Sequence, residues 1–135
     1  MTLANGIETQ DIEVWTEGPK IVFVGKPKAE ELDGKVFERE YDLKGNLLMP
    51  SFKNAHTHSA MTFLRSYADD MPLQDWLFKQ IFPMEAKLDG EKVYWLTKLA
   101  ILEYLTTGCT AAFDMYFELD DYVKACTESG FRSVL

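Results

Sequence analysis

The chain's only two histidines, His56 and His58, are separated by a single threonine. Three readings fit two imidazoles at that spacing: a pair of metal ligands, an acid and a base acting on one substrate, or an incidental repeat. If residues 51–58 form a strand, side chains at i and i+2 share a face. The imidazoles then point the same way, roughly 6.5–7 Å apart along the strand. They could converge on one ion at nitrogen–metal distances of about 2.0–2.1 Å. Phe52 and Asn54 fall on the same face, and Lys53, Ala55 and Thr57 on the other. A catalytic zinc site takes three protein ligands plus water, so this pair is half of one.

The surrounding sequence says what positions the pair. Over residues 11–42 the apolar residues come in short alternating runs: Ile12 and Val14, Ile21 to Val24, then Val36, Phe37 and Tyr41. Gly18-Pro19, Gly25-Lys26-Pro27 and Asp33-Gly34 punctuate them, which predicts a small antiparallel β-layer. From Leu47 onward strands and helices alternate: a strand at 51–58, helical segments at 60–67 and 73–80, a longer helix after Asp89, a strand at 110–117, a helix at 119–129 and the start of a strand at 131–135. Asp89 is placed to cap the long helix. Val93, Leu96, Leu99, Ala100 and Leu102 suggest its apolar face, and Gly108 follows its end. Strands separated by such helices pair in parallel. The predicted class is therefore α/β, with units at 1–46 and 47–135. Ligands of parallel α/β proteins bind at the carboxyl ends of the strands, where His58 stands. Asp114 ends the next strand at the same edge, as a carboxylate satisfied by loop amides or one held toward a histidine. Asp69 and Asp70 read as a turn.

Composition narrows the partners. With 47% hydrophobic and 27% charged residues the chain is globular rather than disordered. A net charge of −8, spread along the sequence, argues against nucleic acid. No apolar run approaches the ~20 residues of a membrane-spanning helix. The first ten residues, MTLANGIETQ, have neither the basic start nor the apolar stretch of a signal peptide. Cys109 and Cys126 lie in apolar surroundings without Cys-x-x-Cys spacing, which predicts buried free thiols in a cytoplasmic protein.

Several linked motifs resemble the amidohydrolase superfamily, in particular the branch of 5′-methylthioadenosine/S-adenosylhomocysteine deaminases and related chlorohydrolases. They are MPSFKNAHTH at 49–58 with SAMTFLR at 59–65, YADDMPLQDWL at 67–77, IFPME at 81–85, TGCT at 107–110, FDMYF at 113–117 and SGFRSVL at 129–135. GPKIVFVG at 18–25 resembles the β-sandwich strands that precede the barrel in that family. The resemblance implies the N-terminal part, about three strands, of a metal-dependent (β/α)8 barrel preceded by strands of a small β-sandwich. It implies hydrolytic deamination of an adenosine-type substrate by water activated on one divalent metal, zinc first and iron second. His56 and His58 match metal ligands. Glu85 matches a carboxylate that accepts hydrogen bonds from ribose hydroxyls, and Trp76 an aromatic beside the substrate pocket. On their own terms Glu85 reads as a solvated helix-start carboxylate and Trp76 as core packing.

There are departures from the pattern. Ser51 stands where the family commonly has Gly, and Lys53 where it has an apolar residue, so the Lys53 stem is expected to run outward to water. Residues 47–135 amount to little more than a third of a complete barrel of ~250 residues. The expectation is a fragment, inactive alone, whose remaining metal ligands and proton-shuttling acid lie beyond Leu135. Its unpaired strand edges call for a homo-oligomer. Guanine-type deamination, triazine dechlorination and a non-catalytic assembly module are the competing functions.

Overall fold

The structure is a computed structural model that describes residues 11–135. The stretch read for a signal segment, residues 1–10, lies outside the described residues. The chain divides into two compact units between Pro50 and Ser51, each described by itself.

In the first unit β1 (Glu13–Glu17) and β2 (Lys20–Gly25) form an antiparallel hairpin across the Gly18-Pro19 turn, with a bulge between Trp15 and Thr16. Trp15 and Phe23 are register partners and stack with ring centroids 4.3 Å apart, and Phe37 meets Trp15 edge-on at 5.2 Å. A short helix, α1 (Ala29–Leu32), follows. The third run of alternating residues, 36–41, does not become a strand. Alternation describes a pleat, but a strand exists only where a ladder partner takes its N–H and C=O groups. No partner stands beside this segment among the described residues, and Val36 is 94% exposed.

The second unit is a three-stranded parallel sheet in the order β3 (Phe52–Thr57), β4 (Cys109–Asp114), β5 (Arg132–Val134). After β3 the chain makes a 3-10 stretch, Ser59–Leu64, shorter than the helix expected at 60–67. The segment expected to be helical over 73–80 runs on to Glu85. It comprises α2 (Leu73–Asp75), a π-helical stretch (Trp76–Ile81) and α3 (Phe82–Glu85). Pro83 has no N–H for the carbonyl of Lys79, and its ring would clash there in α geometry. The helix widens immediately ahead of it. Glu85 thus stands at a helix end rather than a start.

The long helix α4 (Gly90–Thr106) begins as its cap predicts: the Asp89 carboxylate accepts from the Lys92 N–H at 3.0 Å. The last helix is α5 (Leu119–Ser129), closed by Gly130 at φ +64°, a conformation that costs an L-residue roughly 1–2 kcal/mol. Between sheet and helices lies one core of Ala60, Val93, Ile101, Ala112, Tyr122, Cys126 and Phe131. Full burial of each of the larger members stabilises by about 1.5–3 kcal/mol. The buried face of α4 is Val93, Thr97, Ala100 and Ile101. Leu99 (45% exposed) and Leu102 (59%) turn away from it, so the expected face was rotated. Small residues at 97 and 100 let α4 sit close to its neighbours, which a hydrophobicity pattern alone does not register. Both cysteines are free and buried, and burial pushes the Cys126 thiol pKa up. Among the described residues no helix is long and apolar enough to cross a membrane.

Candidate metal and substrate site

The two histidines stand at the carboxyl end of β3. The pairing of β3 with β4 is irregular there: Asn54 matches Ala112 and Thr57 matches Asp114, so three steps on β3 span two on β4. The irregularity encloses Ala55 and His56. The His56 N–H turns to the Asn54 side chain, donating to Oδ1 at 3.2 Å. His58 lies one residue past the strand, at φ −132° and ψ 77°. The two rings lie 5.0 Å apart between centroids, nearly perpendicular at 86°. The His58 Nδ1 lies 2.7 Å from the Met115 carbonyl oxygen. A carbonyl only accepts, so Nδ1 donates and the Nε2 lone pair is left for a ligand.

Beneath the pair is a buried polar network. Asp114 is 1% exposed, and its carboxylate accepts from the Ser59 N–H at 3.2 Å and from the Ser59 hydroxyl. The Tyr104 hydroxyl, from α4, lies 3.0 Å from Ser59 Oγ and 2.6 Å from Thr57 Oγ1. Asp114 is thus held by the amide and hydroxyl of the residue after His58, and contacts neither imidazole among the described hydrogen bonds. Lys53, expected to reach out to water, bends back over its own strand and donates to the Ser51 carbonyl at 2.9 Å. Arg65, just past the 3-10 stretch, clasps Glu103 of α4 through both terminal guanidinium nitrogens at 2.9 and 2.7 Å.

Glu85 is half-buried and acts on Tyr116, which follows β4. The Tyr116 hydroxyl is buried and makes no hydrogen bond of ordinary geometry among the described residues. Its pKa is pushed up by burial first and by the Glu85 carboxylate second. Glu85 is therefore brought toward the chain that leaves β4, the same edge that holds His58. Trp76 is half-buried and lines a shallow depression with Ala68, Asp69, Asp70, Met71 and Leu73. That depression includes neither histidine nor Glu85. Asp70 sits at φ +60°, as a turn residue does. Among the described residues no three His, Cys, Asp or Glu side chains gather as a metal cluster. The structure therefore pairs His56 with His58 and adds no third ligand to them. Reading the sequence alone misses Tyr104, Ser59 and Tyr116. Ser59 and Tyr116 fall inside the family-like motifs at 59–65 and 113–117, whereas nothing in the sequence pattern singles out Tyr104.

The profile of the amidohydrolase family matches residues 47–135. The chain belongs to the amidohydrolase family. It is 44% identical over 123 residues to a 5-methylthioadenosine/S-adenosylhomocysteine deaminase of Desulfitobacterium hafniense, covering 91% of this chain and 28% of that protein. It is 56% identical over 94 residues to a 5′-deoxyadenosine deaminase of Methanospirillum hungatei, covering 70% of this chain and 21% of that protein. The chain thus spans about a quarter of the length of these curated relatives. Among solved structures it superposes on an adenosine deaminase from Xanthomonas campestris with bound zinc, at a TM-score of 0.85 and 37% identity, covering 93% of this chain and 29% of that one. It also matches an atrazine chlorohydrolase from Arthrobacter aurescens at a TM-score of 0.80, with 22% identity over 93% of this chain and 30% of that one. This second likeness concerns fold. The three parallel strands and their helices are part of an amidohydrolase barrel.

Proposed function

We propose that this amidohydrolase segment supplies the first metal-binding strand and a substrate contact of a hydrolytic deaminase acting on adenosine-type nucleosides such as methylthioadenosine or S-adenosylhomocysteine. The observation that carries the reading is the pair of imidazoles at the carboxyl end of β3, with His58 oriented by Met115 so that Nε2 is free. Two neutral imidazole donors suit zinc or ferrous iron, and His56 and His58 would hold such an ion together with ligands from elsewhere in a longer protein. When bound, a divalent cation supplies the Lewis acidity that makes water a nucleophile near neutral pH.

The chain's own residues account for binding and orientation. Glu85, at the end of α3, accepts hydrogen bonds from the ribose hydroxyls, and Trp76 gives the substrate an aromatic wall. Asp114 keeps the backbone after His58 in place. The zinc in the adenosine deaminase neighbour makes zinc the first choice of metal. Two buried free thiols suit a reducing compartment, and we place the protein in the cytoplasm.

The test is ammonia release by a full-length protein carrying these residues, with methylthioadenosine, S-adenosylhomocysteine, 5′-deoxyadenosine, guanine and a chlorotriazine offered in parallel. Turnover of the nucleosides is expected, with Glu85→Gln raising KM for ribosyl substrates more than it lowers kcat. Turnover of guanine or the triazine without the nucleosides overturns the substrate assignment. A zinc-loaded protein that turns over none of them overturns the enzyme reading in favour of an assembly module.

A further inference from the structure

We propose that Tyr104 is a positioning residue for the histidine pair. Its one hydroxyl ties together the two residues that flank His58 in sequence, Thr57 and Ser59, and fastens both to helix α4. The inference rests on the metal-binding reading above and adds to it the device that sets the pair's geometry.

Each hydroxyl has a single proton, and that fixes the order of the network. Ser59 Oγ donates to the Asp114 carboxylate, which only accepts. Ser59 Oγ therefore accepts from Tyr104, 3.0 Å away. With its proton spent, the Tyr104 oxygen accepts from Thr57 at 2.6 Å. The result is one chain of donors, Thr57 to Tyr104 to Ser59 to Asp114, running toward a buried negative charge. Bonds in such a chain polarise one another, so each is stronger than it would be alone.

The position matters because the ladder is irregular here, although the Thr57 carbonyl accepts from the Met115 N–H at 3.2 Å and the His58 carbonyl from the Met61 N–H at 2.9 Å. His56 lies in the irregularity of β3, and His58 lies past its last ladder residue. Regular ladder pairing therefore does not by itself set the distance between the rings. Tyr104 secures the residues on both sides of His58, Asp114 takes the Ser59 N–H at 3.2 Å, and the Met115 carbonyl takes the His58 ring at 2.7 Å. Stacking on Phe131, with centroids 5.5 Å apart, holds the Tyr104 ring itself.

Zinc alone is the probe, in a full-length protein carrying these residues, with affinity measured by competition against a chromogenic chelator. Tyr104→Phe removes only the hydroxyl and is expected to weaken zinc binding about tenfold, the lower end of what supporting partners of metal ligands contribute. The His58 imidazole nitrogen shifts of the metal-free protein should move as well. Zinc affinity within twofold of wild type, with only the melting temperature lowered, makes Tyr104 structural and overturns the proposal. Should Tyr104→Phe not fold, Thr57→Val and Ser59→Ala each remove one arm of the chain. Both are expected to weaken zinc, with the double variant losing less than the two effects combined. Two arms without effect overturn the proposal equally. His56→Ala and His58→Ala separate the two levels of inference. If they abolish zinc binding while Tyr104→Phe does not weaken it, only the positioning role fails. If they too keep wild-type affinity, the metal-binding reading itself fails.

Discussion

The Nδ1 of His58 donates to the carbonyl oxygen of Met115 at 2.7 Å, a bond between residues brought together by the parallel pairing of β3 and β4. It selects one tautomer of a ring that otherwise has two. Long-range nitrogen–proton correlation spectra of the metal-free protein above the imidazole pKa should show His58 protonated at Nδ1. An Nε2–H tautomer would contradict the geometry and leave Nε2 without a free lone pair.

The second expectation concerns orphaned hydroxyls. Thr97 Oγ1 is fully buried on α4 and finds no hydrogen-bond partner among the described residues. A buried group in that state costs roughly 1–3 kcal/mol. Thr97→Val should therefore raise the unfolding free energy by about 1–2 kcal/mol, read by denaturant titration at unchanged m. A loss of stability would show that the hydroxyl has a partner after all.

The rotated face of α4 gives a discriminating pair. Ile101 is 3% exposed and belongs to the core cluster, whereas its neighbour Leu102 faces outward. Ile101→Ala should cost about 2–4 kcal/mol. Leu102→Ala should stay within ~0.5 kcal/mol. Equal costs would mean that α4 presents the face the sequence pattern suggests.

Alkaline pH supplies a fourth test. Burial, more than any other cause, raises the pKa of Tyr122, and Asp114 adds to it; burial followed by Glu85 raises that of Tyr116. An unfolded chain ionises its phenols near pH ~10, before the folded one does. The unfolded state is then the one holding fewer protons. Stability is fully present below that pH and falls as pH rises toward the folded values. Tyr122→Phe should flatten this alkaline decline in a pH series of denaturant melts. A slope identical to wild type would show that Tyr122 ionises equally in both states.

Self-association is the fifth. Phe113 and Val134 are register partners on β4 and β5, and they and Phe52 of β3 are more than half exposed. The helices of the unit bury the other side of the sheet, through Ala112. An uncovered apolar sheet face of this kind drives association. Sedimentation of the 135-residue chain should give dimers or larger species. A monomer that unfolds cooperatively would show that the face is tolerated in water.

Local signals and long-range contacts divided the fold between them. The Asp89 cap, the left-handed glycines at 108 and 130, and the alternation of strand and helix depend on residues close in sequence, and each is where the pattern puts it. The run at 36–41 failed as a strand because pairing requires a partner that alternation cannot promise. The widened helix before Pro83 and the choice of Thr97 and Ile101 over Leu99 and Leu102 depend on how closely neighbours approach.

The same division runs through the site. The types and spacing of His56 and His58, and the motifs around them, were enough to indicate a strand of an amidohydrolase barrel and to propose the pair as metal ligands. How far apart the rings lie, and which nitrogen faces outward, was settled only in three dimensions. The partners that decide it are Asn54, Met115, Asp114, Ser59 and Tyr104. Except for Asn54 and Ser59 they lie more than forty residues from the pair. A hydrogen bond between such residues exists only after the sheet and α4 have packed, and no local propensity encodes it.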